Sequence, residues 1–187
     1  MTVVYIIIGV VVILLIMMGS MYNSLVRLRN QVKNAWAQID VQLKRRHDLI
    51  PNLVETAKGY MKHERGTFEA VTKARNLAQK AVGTGVGAQS KAEGELSSAL
   101  ARLLVVVENY PDLKANQNFL ALQEELTSTE NKIGFSRQYF NDSVLRYNNK
   151  TQVFPSNMMA GMMGFKGSEF FAVKVAEERE VPEVSFS

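Results

Sequence analysis

Two patterns of apolar positions divide the chain. The first has no polar face: twenty residues from Val3 to Tyr22 run without a charge, and the first charged side chain is Arg27. Twenty helical residues rise about 30 Å, the thickness of a bilayer's hydrocarbon core. Tyr5 and Tyr22 stand near the two ends, where aromatic belts form. No basic residue precedes the stretch, and Met17-Met18-Gly19 is a poor small-x-small cleavage sequence. A retained transmembrane anchor over residues 1–22 is therefore expected, rather than a cleaved signal peptide or a buried soluble helix.

The second pattern is periodic. Apolar or bulky positions recur at Leu25, Leu28, Val32, Trp36, Ile39, Leu43, Arg46, Ile50, Leu53, Ala57 and Tyr60, ten steps over 35 residues, with Arg46 the one misfit. A mean step of about 3.5 is the period of a helix packed lengthwise on others. The pattern continues through Val71, Ala74 and Ala78 and is expected to stop at the glycine cluster Gly83-Thr84-Gly85-Val86-Gly87. Pro51 lacks an N–H and its ring clashes with the carbonyl of His47, so a kink or a split is expected there.

A second helix is expected from Ser90, whose spacing to Glu93 is that of a capping box, with a buried face of Leu96, Leu100, Leu103, Leu104 and Val107. Pro111 suits the first turn of a third helix. That helix carries Phe119, Leu122, Leu126, Thr129, Ile133, Ser136, Phe140, Val144, Tyr147, Thr151 and Phe154, again ten steps over 35 residues. Two stripes of equal length predict an all-α fold: an N-terminal transmembrane helix, then an elongated antiparallel bundle of long helices over residues 23–154. Residues 155–187 form a Met-rich and extended tail, in which Phe171, Val173 and Val175 alternate with polar residues and Val181-Pro182-Glu183-Val184 reads as extended.

Composition adds exclusions. Without Cys there is no disulfide framework, thiolate metal site or cysteine nucleophile. The net charge of +4 is unevenly spread, with twelve Lys/Arg against five Asp/Glu between Arg27 and Lys80. A basic excess beside an anchor points to a membrane surface rather than to nucleic acid. Arg27, Arg29 and Lys33 just past the span place the bundle in the cytoplasm by the positive-inside rule, with the N-terminus outside the cytoplasmic membrane. The alternative puts the bundle outside.

The run Tyr22-Asn23-Ser24-Leu25-Val26-Arg27-Leu28-Arg29-Asn30, followed by Asn34-Ala35-Trp36-Ala37-Gln38-Ile39-Asp40-Val41-Gln42-Leu43-Lys44-Arg45-Arg46, resembles the LemA family of bacterial membrane proteins. The match continues through Asp48-Leu49-Ile50-Pro51-Asn52-Leu53-Val54 and His63-Glu64. It reappears in Tyr110-Pro111-Asp112-Leu113-Lys114-Ala115, Leu122-Gln123-Glu124-Glu125-Leu126, Thr129-Glu130-Asn131 and Arg137-Gln138-Tyr139-Phe140-Asn141, and ends in Tyr147-Asn148 and Phe154-Pro155. The resemblance implies a transmembrane helix followed by a helical bundle, and it implies no enzymatic activity. Genes of this family often neighbour those of a membrane metalloprotease or a TPM-domain protein, which implies partners in envelope maintenance or protein quality control.

The candidate chemistry is sparse. His47 and His63 point about 160° apart on a continuous helix, and His63-Glu64 lacks the second His of a metalloprotease helix, so surface or capping histidines are expected rather than metal ligands. Asp40, Arg46 and Asp48 on the first helix, with Glu125, Glu130 and Arg137 on the third, are expected to form an interhelical polar network rather than an acid–base site. If Arg46 is buried it must find a carboxylate, and Glu125 or Glu130 is the expected one. Met158, Met159, Met162 and Met163 are an adaptable partner surface or a cap on the bundle. The expectation is a non-enzymatic scaffold or adaptor with no catalytic residue, cofactor or metal. Its partners are the lipid bilayer, proteins and a second copy of itself, with no nucleic acid. The alternatives are a self-assembling structural membrane protein and a hydrolase that uses the helical carboxylates.

Overall fold

A computed structural model describes residues 1–171 and folds them into six helices: α1 (Thr2–Lys58), α2 (Arg65–Ala81), α3 (Val86–Val107), α4 (Pro111–Lys114), α5 (Gln117–Gln152) and α6 (Ser156–Met162). There is no strand among the described residues, so the all-α helical bundle read from the two stripes is the fold observed. Val173, Val175 and the Val181–Val184 stretch lie outside the described residues. The helices group into two compact units, the first of residues 1–43 and 130–170, the second of residues 44–129 with Phe171.

In the first unit α1 pairs with the C-terminal part of α5. The Trp36 and Phe140 rings lie 5.2 Å apart, and Gln31 Nε2 donates to the Tyr139 hydroxyl at 3.3 Å. Burial pushes the Tyr147 phenol up against the opposing pull of the Arg29 guanidinium. Leu25, Val32, Ala35 and Ile39 are buried on this side of α1, and Ile133, Phe140, Val144 and Tyr147 on this side of α5. The stretch Val3–Met18 is different. It belongs to a helix long and apolar enough to cross a membrane, and its apolar surface is uncovered throughout.

The second unit holds a core of Ile50, Leu53, Ala57 and Met61 from the end of α1 and the turn after it, Phe68, Val71 and Ala78 from α2, Leu96, Leu100 and Leu103 from α3, and Phe119 and Leu126 from α5. Here the structure departs from the sequence reading in three places. The first helix does not run to the glycine cluster but ends at Lys58. The N–H groups of Tyr60 and Met61 both turn back to the Ala57 carbonyl, at 3.0 and 2.9 Å, and the Met61 side chain is wholly buried in the corner. An apolar residue thus fills the turn, which is why the hydrophobic pattern passed through it unbroken. Next, α3 begins at Val86, four residues ahead of Ser90, with Gly85 as its N-cap at φ +120, a backbone region open to glycine. Ser90 and Glu93 are consequently inside the helix and buried. Finally, Pro111 opens the single turn α4, while α5 starts after Asn116, whose side-chain oxygen accepts the Phe119 N–H at 3.0 Å.

Pro51 does not split α1, which stays helical on both sides of it. The residue removes the N–H that would bond to the carbonyl of His47, four positions earlier. That carbonyl is not orphaned: Arg75, reaching across from α2, donates its Nε–H to it at 2.7 Å. Arg75→Ala should cost about 1–3 kcal/mol, the penalty for an unsatisfied acceptor in a packed interior. In a Pro51→Ala background the restored N–H takes over, and the same substitution should cost far less. Thermal unfolding of the full chain in detergent micelles, followed by far-ultraviolet circular dichroism, gives the two losses. Equal losses would show that Arg75 contributes through something other than this carbonyl.

Candidate functional site

Three consecutive residues of α1 reach the other helices of the second unit. Arg45 pairs with Glu125 of α5, where Nε lies 3.0 Å from Oε1, and both side chains are half-exposed. Exposed pairs of this kind contribute about 0–1 kcal/mol. Arg46 is only 1% exposed and ion-pairs through Nη2 with Oε2 of Glu93 on α3, itself 3% exposed. Arg46 Nη1 also donates to Ser97 Oγ at 2.9 Å. Glu93 and Ser97 are four residues apart, so α3 presents both on one face.

His47 completes the cluster from the other side. Its Nε2 lies 2.9 Å from Glu93 Oε1, and neither atom has another hydrogen-bond partner among the described residues. Two facing lone pairs would repel at this distance, so Nε2 is the nitrogen that carries hydrogen. Each carboxylate oxygen of Glu93 thus has its own donor. Burial pushes the Glu93 carboxyl up, but the His47 hydrogen bond and the Arg46 charge outweigh it and hold the group below the ordinary glutamate value of 4.5. A carboxylate kept ionised, with both oxygens engaged, is a poor general base and no nucleophile. The groove on α2 lined by Met61, Arg65, Phe68 and Leu77 includes none of these side chains. What the arrangement can do is hold α1 against α3 in one register.

The predicted network residues are spread more widely. Asp48 is exposed on α1, Asp40 and Arg137 are half-buried in the first unit, and Glu130 is exposed on α5. Arg46 is buried as its place on the stripe required, but its partner is Glu93 rather than Glu125 or Glu130. Extending the Leu96–Leu100–Leu103–Val107 face backwards by steps of three and four passes through Glu93 and Gln89, and that signal would have found it. His63 is exposed, whereas His47 is buried within the cluster rather than on the surface. Of the methionines, Met159 is buried while Met158, Met162 and Met163 are exposed on and just after α6. Among the described residues no group of three or more His, Asp or Glu side chains is placed to hold a metal ion.

Comparison with known proteins gives a family and several distant relatives. The model of the LemA family matches residues 35–186, a span that contains the whole Arg46–His47–Glu93 cluster and leaves the apolar N-terminal stretch outside. Magnetosome protein MamQ 1 of Paramagnetospirillum magneticum is 24% identical, over 86% of this chain and 68% of its own length. Magnetosome protein MamQ of Magnetospirillum gryphiswaldense is 25% identical over the same shares. Protein LemA of Metamycoplasma hominis is 24% identical over 85% of this chain and 72% of its own.

Removing one partner of a buried ion pair costs about 3–5 kcal/mol, whereas replacing the pair by apolar groups of similar volume is near neutral. Arg46→Met should therefore be strongly destabilising, and adding Glu93→Met should recover part of the loss in chemical denaturation of the full chain, the remainder being about 1–3 kcal/mol for the His47 N–H left without its acceptor. The pH dependence has a definite sign. With its folded-state value below 4.5, Glu93 contributes stability that is complete above that pH and is lost as pH falls through the folded value. Glu93→Gln should be less stable at neutral pH and should lack this part of the acid loss. Parallel acid slopes for the two proteins would remove Glu93 from the account.

Proposed function

The chain belongs to the LemA family, and from that membership we propose that it is a single-pass membrane protein whose helical bundle serves as a non-enzymatic scaffold or adaptor at the cytoplasmic membrane. One observation carries the reading. The uncovered apolar stretch of α1 and the residues that organise the bundle belong to one helix, Thr2–Lys58, so a single element serves both the lipid and the packing of the domain. Apolar surface of that length, left uncovered by the other described residues, calls for a bilayer as its solvent. The basic residues Arg27, Arg29 and Lys33 support a bundle on the cytoplasmic side, where each Lys/Arg near anionic headgroups contributes about 1 kcal/mol.

For the hydrolase alternative, the one buried carboxylate among the described residues, Glu93, is not one of the carboxylates that reading named and is engaged on both oxygens. A second reading, self-assembly through α5, is favoured by Phe135, which lies 74% exposed in mid-helix. Protein partners of the envelope quality-control kind remain part of the proposal, on the strength of the family resemblance.

The chain has no Cys, so one introduced thiol reports its own side of the membrane. Val105→Cys places it on an exposed position of α3. Labelling by a membrane-impermeant maleimide only after permeabilisation of cells is the expected result. Labelling of intact cells, with any outer membrane opened, would move the bundle outside the cytoplasmic membrane. Recovery of the chain in the soluble fraction would overturn the anchor.

A further inference from the structure

The longest charge-free run after the N-terminal stretch is the fifteen residues Thr151–Phe165, bounded by Lys150 and Lys166. It contains α6, and the fold sorts its side chains sharply. Ser156, Met159, Ala160 and Phe165 are buried. Val153, Phe154, Met158, Met162 and Met163 face outward, each between 53% and 74% exposed. Five large apolar side chains gathered within eleven residues, with no charge among them, are more than the isolated exposed hydrophobics that any surface carries.

The position of this patch says what covers it. In the first unit α1 and α5 run antiparallel: Trp36 packs on Phe140, and Arg29 acts on Tyr147. Seven residues back along α1 correspond to seven forward along α5, so the end of α5 at Gln152, from which the run continues, approaches the Tyr22 end of the apolar stretch. The far end of the patch returns to the same level. Gly164, at φ +70, ends α6 with the Phe165 N–H bonded to the Ala160 carbonyl at 2.9 Å, a Schellman turn. Phe165 is thereby laid edge-on to the Tyr22 ring at 5.8 Å, under the Arg29 guanidinium at 5.0 Å from its centroid. Asn148 fixes the chain that follows, accepting from the Ser168 N–H at 2.8 Å and donating to its carbonyl at 2.9 Å. The Phe165 end of the run is thus tied to the level of α1 where the apolar stretch gives way to Arg27 and Arg29.

We propose that the α6 segment is a second membrane contact: Phe154, Met158, Met162 and Met163 dip into the leaflet from which the Val3–Tyr22 span emerges. The occupant is lipid rather than protein because Phe165, at the end of the run, packs on Tyr22, the last residue of an apolar stretch that itself needs lipid. The run is bounded in sequence by Lys150 and Lys166, and Arg29 lies over Phe165 at its end; long basic side chains of this kind reach headgroup phosphates while their stems stay apolar. Unbranched methionine suits a disordered acyl environment, since it adapts its shape without a fixed packing partner. The proposal rests on reading Val3–Tyr22 as a span.

The test uses the full chain reconstituted into vesicles of phosphatidylethanolamine and phosphatidylglycerol. Met158→Cys, Met162→Cys, Val105→Cys and Val12→Cys are each labelled with an environment-sensitive fluorophore. Quenching is then read with spin-labelled lipids that carry the label shallow or deep in the acyl chain. The expected result is severalfold stronger quenching at positions 158 and 162 than at 105, by the shallow label above all, with position 12 quenched by the deep label. Positions 158 and 162 behaving like 105 while 12 is quenched would overturn the second contact and leave the span standing. A blue shift at 158 and 162 without lipid quenching would also overturn it and assign the patch to protein, a second copy included. An unquenched position 12 would overturn the span and the proposal with it.

Discussion

The second unit is organised around one buried negative charge. A carboxylate removed from water must be matched at both oxygens, and Glu93 is matched by two residues that are neighbours on a single helix. Side chains of adjacent helical residues diverge by about 100°, so Arg46 and His47 can both reach Glu93 only if α3 lies between their directions. The requirement is geometric as much as electrostatic. A shift of α3 by one residue would carry Glu93 off that bisecting line and leave two donors and a charge without partners. Arg45 and the His47 carbonyl extend the same turn of α1 to α5 and α2. One turn of one helix thereby sets the positions of three others, while the apolar core around Leu53, Leu96 and Leu103 supplies stabilisation that is less particular about register.

How much of this the sequence disclosed depended on whether the information was local. The uncovered apolar stretch, the two long stripes and the turn at Gly83 and Gly85 were legible because burial repeats with the helical period and because glycine marks positive φ. The corner at Met61 was not, since an apolar residue that plugs a turn looks the same in sequence as one that continues a helix. The ionic cluster was half legible: an arginine on an apolar stripe announces both its burial and its need for an anion. Which anion depended on where α3 lies, and assigning Ser90 and Glu93 to a helix start turned the true partner outward. The methionines were conspicuous by composition, but the split between buried Met159 and exposed Met158 and Met162 follows from packing, which no local rule contains.

The first unit makes its contacts by other means. Its joints include the aromatic and amide contacts Trp36 on Phe140, Phe165 on Tyr22 and Asn148 on Ser168, and among the described residues its buried positions hold no charged side chain. If Val3–Tyr22 spans a bilayer as proposed, these contacts suit its end. Aromatic rings and amides tolerate the steep change of polarity between acyl chains and water, whereas a buried ion pair would be exposed to two dielectric environments at once. The unit with the ionic cluster carries no part of the Val3–Tyr22 stretch, and the unit with that stretch has its buried described positions filled mainly by apolar and aromatic residues.

Pro51 shows how a helix breaker can serve recognition within one chain. Its missing N–H leaves the His47 carbonyl without its helical donor in the interior of α1, and Arg75 fills that place. A nascent α2 sliding along α1 therefore meets one distinguishable address in an otherwise repetitive groove. Docked a turn too early or too late, it would strand a guanidinium and a carbonyl together, so misassembled chains are penalised at the moment they form, before the rest of the domain has closed around them.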